Sequence, residues 1–261
     1  FLCSNLSLAP KLYPLIMDNV FPTFMMPQGV LSHMMRAIAA HRPGIISQVG
    51  MKTFVDPRID GGKINDAAKA SEEEIVQLLN LNGEEYLFYP AFPLDVAIIK
   101  GSKADTKGNI SVEKEALHIE QFEMAAAAKN SGGIVMVQVD EIVEHGQLHP
   151  QMVTVPSALV DYVILGDPEN SGQHFIGNRK PVPSWCGDEK IPFDNIESLP
   201  FDIHKVICRR GILELHAGDF INLGIGIPMG ISEVLNEEGL IEQISSSIES
   251  GVTGGVPAPG I

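Results

Sequence analysis

Three short runs, "LDVAIIKG" at residues 94–101, "GGIVMVQVDEIV" at 132–143 and "VDYVILG" at 160–166, are almost unbroken in apolar and β-branched residues. Strands of a mainly parallel sheet look like this when neither face meets water, whereas a strand with one wet face alternates. Helical candidates separate them. "QGVLSHMMRAIAAHRPG" has apolar residues at helical spacing and a Pro-Gly stop, and "HIEQFEMAAAAKNSGG" joins strong helix formers to a glycine pair. Ser71 followed by Glu74 offers a capping box, which predicts a helix through "EIVQLLN" with "SEEEI" as its solvated first turn. The expected fold class is α/β, with open, mainly parallel sheets.

The character changes after Gly166. "GDPENSGQ", "NRKPVPSW" and "IESLP" crowd Pro, Gly, Ser and Asn, the composition of a connection rather than of an element. Helical spacing resumes in "HKVICRRGILEL", and "GDFINLGIGIPMGISEVLNEEGL" then supplies a strand, a glycine turn and another helix. The expected division is a first α/β domain over 1–166, a linker or elaborated connection over 167–200, and a second α/β domain over 201–261, cut short. The chain begins with Phe1 rather than methionine, which reads as a piece of something longer.

Charge narrows the partners. The formal net charge is -15, with a pI near 4.8, and nucleic-acid binding rests on neutralising phosphates with Lys and Arg, so that class is set aside. No apolar run approaches the about 20 residues a bilayer span needs, so no membrane partner is expected. Cys3, Cys186 and Cys208 lack metal-ligand spacing and read as reduced thiols, which predicts a cytoplasmic protein without a bound metal.

Two motifs are candidates for chemistry. In "FINLGIGIP" a strand runs into Gly224, Ile225, Gly226, Ile227 and Pro228, which would place several backbone N–H groups at a helix N-terminus, with Pro228 at its first position. Such a turn can hold a phosphate or an oxyanion, or can be a tight connection holding nothing. It lacks the third glycine of a dinucleotide fingerprint and the lysine of a P-loop, so neither NAD nor ATP is indicated. In "LIEQISSSIESGVTGG" a strand would deliver Glu249 at its carboxyl end, the edge where α/β sheets bind ligands, with Gly251, Gly254 and Gly255 allowing close backbone approach. Spacing alone leaves Glu249 open between a nucleophile and a strand-end carboxylate facing water.

"NLGIGIP" followed by "ESGVTGG" resembles the second half of the acetate/propionate and 3-ketoacid coenzyme A transferases. "MMPQGVLSH", "VGMKTFVDPRIDGGKIN", "DVAIIKGSKADTKGNIS", "VQVDEIV" and "LHPQMVTVPSALVD" are similar to the first domain of the same family. The resemblance implies that the chain is an internal fragment, lacking a glycine-rich loop before Phe1 and a further segment beyond Ile261. It implies Glu249 as the nucleophile, forming a glutamyl-CoA thioester, and Gly224–Pro228 with Gly254 and Gly255 as contacts to coenzyme A. It also implies acyl-CoA and short-chain carboxylic acids (acetate, propionate, butyrate or a 3-ketoacid) as substrates, no permanently bound cofactor, and a homo-oligomer. Gln28 of "PQG" is a further candidate, orienting the acyl carboxylate or the thioester oxygen, or simply opening a helix.

Other residues are expected to be structural. His33, His145 and His149 show no carboxylate or cysteine partner at catalytic spacing; Met25, Met26, Met34 and Met35 fill core gaps; Asp105 and Asn109 suit a strand-connecting turn. Two alternatives stand beside the transferase. The same architecture serves non-catalytic ligand sensors, and an acyl-CoA hydrolase would resolve the thioester with water.

Overall fold

The computed structural model describes residues 1–6, 9–167 and 182–257. The chain divides into two compact units, Phe1–Glu113 with His118–Ser171, and Lys114–Leu117 with Gly172–Ile261.

The first unit opens with β1 (Leu2–Cys3), helix α1 (Tyr13–Met17) and β2 (Phe24–Met25), the two strands pairing in parallel. Helix α2 (Gln28–Ala39) follows from the apolar spacing, burying Val30, Met34, Met35, Ala37 and Ile38 on one face. Next come β3 (Gly44–Ser47), the short helix α3 (Asp66–Lys69), β4 (Gln77–Leu81) and β5 (Glu84–Pro90), and the three strands form an antiparallel sheet in the order β3-β5-β4. Leu87 and Tyr89 of β5 pack with α2 and Met26 into one hydrophobic cluster.

The rest of this unit is built on β6 (Val96–Lys100), β7 (Lys103–Asp105), β8 (Ile110–Ser111), α4 (Gln121–Asn130), β9 (Ile134–Val139), β10 (Glu141–Val143), β11 (Val153–Val155) and β12 (Tyr162–Leu165). Strands β12-β9-β6 form the parallel sheet, and β10-β7-β8-β11 a mixed one. Ala125 and Ala128 of α4 pack with Ala97, Ile99, Val135 and Val137 of the parallel sheet. Alanines let the helix approach closely, and burying each valine or isoleucine contributes about 1.5–3 kcal/mol.

Four expectations change here. The run at 132–143 is two strands in different sheets: β9 stays in the parallel sheet, and Asp140, whose N–H donates to the Ser102 carbonyl at 3.0 Å, passes the chain to β10 beside β7. The strands of the parallel sheet are buried on one face only, Ala97 and Ile99 inward and Val96 and Ile98 outward. The helix expected after Ser71 is absent. Gln77–Leu81 is a strand, because Asn82 and Gly83 both sit at positive φ (54° and 86°) and close a two-residue hairpin onto β5. "SEEEI" is therefore an exposed loop, with the Ser71 hydroxyl accepting from the Glu73 N–H and Glu74 paired to Lys63 at 2.9 Å.

The second unit holds α5 (Ile203–Ile212), β13 (Phe220–Leu223), α6 (Gly230–Glu237) and β14 (Ser245–Ile248). Asp202 caps α5 by accepting from the Lys205 N–H at 3.0 Å. The Lys205 ammonium is buried against Glu237 at 2.6 Å and the Leu199 carbonyl at 2.9 Å, which ties α5 to α6. Strands β13 and β14 pair in parallel, so β13-α6-β14 is a crossover unit. Residues 168–181 of the expected connection at 167–200 lie outside the described residues; the part from 182 onward carries two 3-10 turns, Pro183–Trp185 and Phe193–Asn195. Among the described residues no helix is long and apolar enough to cross a membrane.

Candidate active site

The register of β13 and β14 brings the two sequence motifs together. Leu223 pairs with Ile248, so the next residues, Gly224 and Glu249, leave adjacent strands at the same carboxyl edge. The Glu249 N–H donates to the Leu223 carbonyl at 3.0 Å, extending the ladder by one bond onto the glutamate itself.

Beyond β14 the chain reverses in a three-residue loop, Glu249, Ser250 and Gly251. The Ile248 N–H donates to the Val252 carbonyl and the Gly251 N–H to the Ile248 carbonyl, both at 2.9 Å. Gly251 stands at φ 93°, the left-handed conformation that such a loop needs at its last position. The returning chain stays beside β14: Thr253 bridges to Ser247, and the Gly254 N–H donates to the Ser246 carbonyl at 2.8 Å. Glu249 is exposed at the tip of this reversal. A side-chain amide also reaches the turn, since Asn222 Nδ2 donates to Ser247 Oγ at 2.9 Å and to the Ile248 carbonyl at 3.3 Å.

On the β13 side, Gly224 and Gly226 pass into a 3-10 turn, Ile227–Met229, before α6 begins at Gly230. Pro228 thus lies in this 3-10 turn rather than at the first position of the α-helix. Gly226 has φ 95°, and added Cβ atoms on Gly224 and Gly226 would meet nothing within 4 Å, so this stretch of backbone is open to a ligand. The turn is anchored from below. The Cys208 thiol of α5 donates to the Ile227 carbonyl at 3.2 Å, and a Cβ on Gly230 would stand 2.9 Å from the same sulfur. Burial pushes the Cys208 thiol up, with nearby Glu233 and Asp202 adding to it, so the group stays a protonated donor.

Of the remaining candidates, Gly254 and Gly255 follow Glu249 at φ 81° and 69° with open space around them. Gln28 belongs to the other unit, exposed at the first position of α2. His33 is exposed, and His149 caps a 3-10 turn by accepting from the Gln151 N–H. His145 departs from expectation: its Nδ1 lies 2.8 Å from the buried carboxylate of Asp105. Asn222 was not singled out in the sequence, where a polar residue in an apolar strand was its one visible mark. Among the described residues no group of three or more His, Cys, Asp or Glu side chains is gathered as metal ligands.

The family model described as "Coenzyme A transferase" matches residues 14–166. That span lies before β13, and full-length comparisons extend the likeness over the second unit. The caffeate CoA-transferase of Acetobacterium woodii is 46% identical over 233 residues, covering 89% of this chain and 44% of that protein. The acetate CoA-transferase YdiF of Escherichia coli K12 is 38% identical over 261 residues, covering 100% of this chain and 48% of that protein. The crystal structure of the acyl-CoA transferase YdiF from E. coli O157:H7, a thioester complex with CoA, superposes with a TM-score of 0.86 at 36% identity, over 98% of this chain and 50% of that one. The chain spans about half the length of the curated relatives it matches.

Proposed function

The chain belongs to the coenzyme A transferase family, and from that premise we propose that the protein containing it moves coenzyme A between a short-chain acyl-CoA and a free carboxylic acid, with Glu249 as nucleophile. The observation that supports the reading is the 3.0 Å bond from the Glu249 N–H to the Leu223 carbonyl, which brings the Glu249 backbone alongside the start of the Gly224–Pro228 turn. A glutamate serving only as surface charge gains nothing from a reversal closed by Gly251 beside a turn whose Gly224 and Gly226 have open space around them.

The chemistry accounts for both motifs. Exchange between two carboxylates is nearly neutral in energy, and an enzymic carboxylate splits it into easier steps. A Glu249 carboxylate oxygen attacks the thioester carbon; the C–S bond breaks, leaving a mixed anhydride and the coenzyme A thiolate. The thiolate attacks the Glu249 carbonyl carbon; the anhydride C–O bond breaks and the first acid departs, leaving a glutamyl-CoA thioester. The incoming acid reverses both steps. Each attack passes through an oxyanion, and one preorganised donor is worth about 2.7–4 kcal/mol there. The Gly224–Pro228 turn, with Gly254 and Gly255, holds coenzyme A in this reading, so that binding energy from the carrier lowers the barrier at the reacting carbon. Gln28 orients the acyl carboxylate. Residues 1–166 form the first domain and 201–261 the start of the second, in a cytoplasmic homo-oligomer.

The test is peptide mass spectrometry after incubation with acetyl-CoA, at full natural length, beside Glu249→Gln. A hydroxylamine-sensitive coenzyme A adduct on the Glu249 peptide, absent from the variant, is the expected result. An adduct released by water as fast as by acetate would indicate a hydrolase. Binding of acyl-CoA with no adduct would indicate a sensor.

A further inference from the structure

We infer that Asn222 is a positioning residue for Glu249: its side-chain amide and the strand it belongs to grip both polar ends of the peptide unit that enters the glutamate's turn. This rests on Glu249 being the nucleophile.

The peptide bond between Ile248 and Glu249 has one donor and one acceptor, and β13 meets both. Its N–H donates to the Leu223 carbonyl at 3.0 Å, and its carbonyl accepts from Asn222 Nδ2 at 3.3 Å. The same carbonyl accepts from the Gly251 N–H at 2.9 Å, the bond that closes the reversal. Asn222 spends its other amide hydrogen on Ser247 Oγ at 2.9 Å, directly across the ladder in register. Two donors from two directions therefore fix the plane from which the Glu249 side chain departs. Ser250 and Gly251 beyond it are exposed, so the turn is held by its backbone bonds and this amide rather than by burial. Asn222 is itself exposed, so burial does not call for an amide at this place in β13, whereas its two hydrogens both meet acceptors at the turn. Misplacing a reacting group by about 1 Å costs on the order of 100-fold in rate.

The experiment uses the protein at its full natural length, with acetyl-CoA as probe. Asn222→Ala and the near-isosteric Asn222→Asp are expected to slow formation of the Glu249 adduct, and kcat with it, by about 10–100-fold, while KM for acetyl-CoA stays within about threefold. Ser247→Ala, which leaves the Ile248 bond in place, costs less than about fivefold. The inference is overturned if both Asn222 variants form the adduct at the wild-type rate. It is overturned equally if KM rises in step with a loss of thermal stability, the signature of a merely structural role. A wild-type protein that forms no adduct removes the transferase reading and this inference with it; a wild-type adduct with indifferent Asn222 variants removes the inference alone.

Discussion

Asp105 shows how much one buried carboxylate can organise. It accepts from the Lys107 and Asn109 N–H groups and from Asn109 Nδ2 at 2.9 Å, and lies 2.8 Å from His145 Nδ1. Burial works against the charge, but these hydrogen bonds outweigh it and hold the carboxyl well below the usual carboxylate range. Asp56 reaches the same state by another route, chiefly through the Arg58 guanidinium, which bonds Oδ1 at 2.9 Å and Oδ2 at 2.8 Å. A carboxylate with a depressed folded value contributes stability that is present above the ordinary unfolded value, near 4, and lost as pH falls through the folded one. Asp105→Asn should therefore cost about 2 kcal/mol at pH 7 and flatten the fall in stability below about pH 4, as read from urea midpoints at several pH values. An unchanged midpoint at pH 7 would show that the network does not stabilise the fold. Arg58→Lys should lower the midpoint less, because an ammonium keeps the charge and loses the fork that matches both oxygens.

At the scale of elements, what the sequence revealed depended on how local the deciding interaction was. Helices α2, α4 and α5 were legible because their signals are local: apolar spacing in α2 and α5, strong helix formers in α4, and a stop just after α2 and α4. Strand β4 was not, because the Ser71 and Glu74 cap signal competes with the Asn82–Gly83 hairpin and the strand wins only once Tyr86 and Leu87 of β5 lie across from it. The change of sheet at Asp140 leaves no mark in a continuous apolar run, and the Asp105–His145 pair spans forty positions. Glu249 was ambiguous by spacing; its resemblance motif singled it out, and the β13–β14 register then set it beside Gly224. Two glycines separate backbone strain from packing in a testable way. Gly83 has φ 86° and open space where a Cβ would go, so Gly83→Ala should cost about 1–2 kcal/mol of backbone strain alone. Gly133 lies outside that region, but a Cβ there would stand 2.3 Å from the Leu94 carbonyl oxygen. Gly133→Ala must push the turn between α4 and β9 away from β6 and should be the more damaging by thermal melting. The reverse order would mean that the turn yields more readily than the hairpin.

For the molecule as a whole, charge and apolar exposure oppose each other. Val96, Ile98, Ile134, Tyr162 and Ile164 are exposed on the parallel sheet of the first unit, Ile98 by 76%. Contiguous apolar surface of this kind promotes association, and a formal net charge of -15 at pH 7 works against it by repulsion. That repulsion vanishes near the pI of about 4.8, while Asp56 and Asp105, with their depressed values, remain ionised and keep supporting the fold. The 261-residue chain should therefore show a turbidity maximum near pH 4.8 with its far-ultraviolet circular dichroism intact, because folded rather than unfolded molecules associate. Salt at pH 7 should reproduce part of the effect by screening, since the Debye length shrinks to about 3 Å at 1 M. The double variant Ile98→Thr with Ile164→Thr keeps the charge and the strand propensity but removes apolar surface, and should lower the maximum by at least about half. If that variant scatters as strongly as the parent at pH 4.8, loss of repulsion alone drives association and the sheet face has no part in it; if the circular dichroism collapses there, the two buried carboxylates are not holding the first unit together.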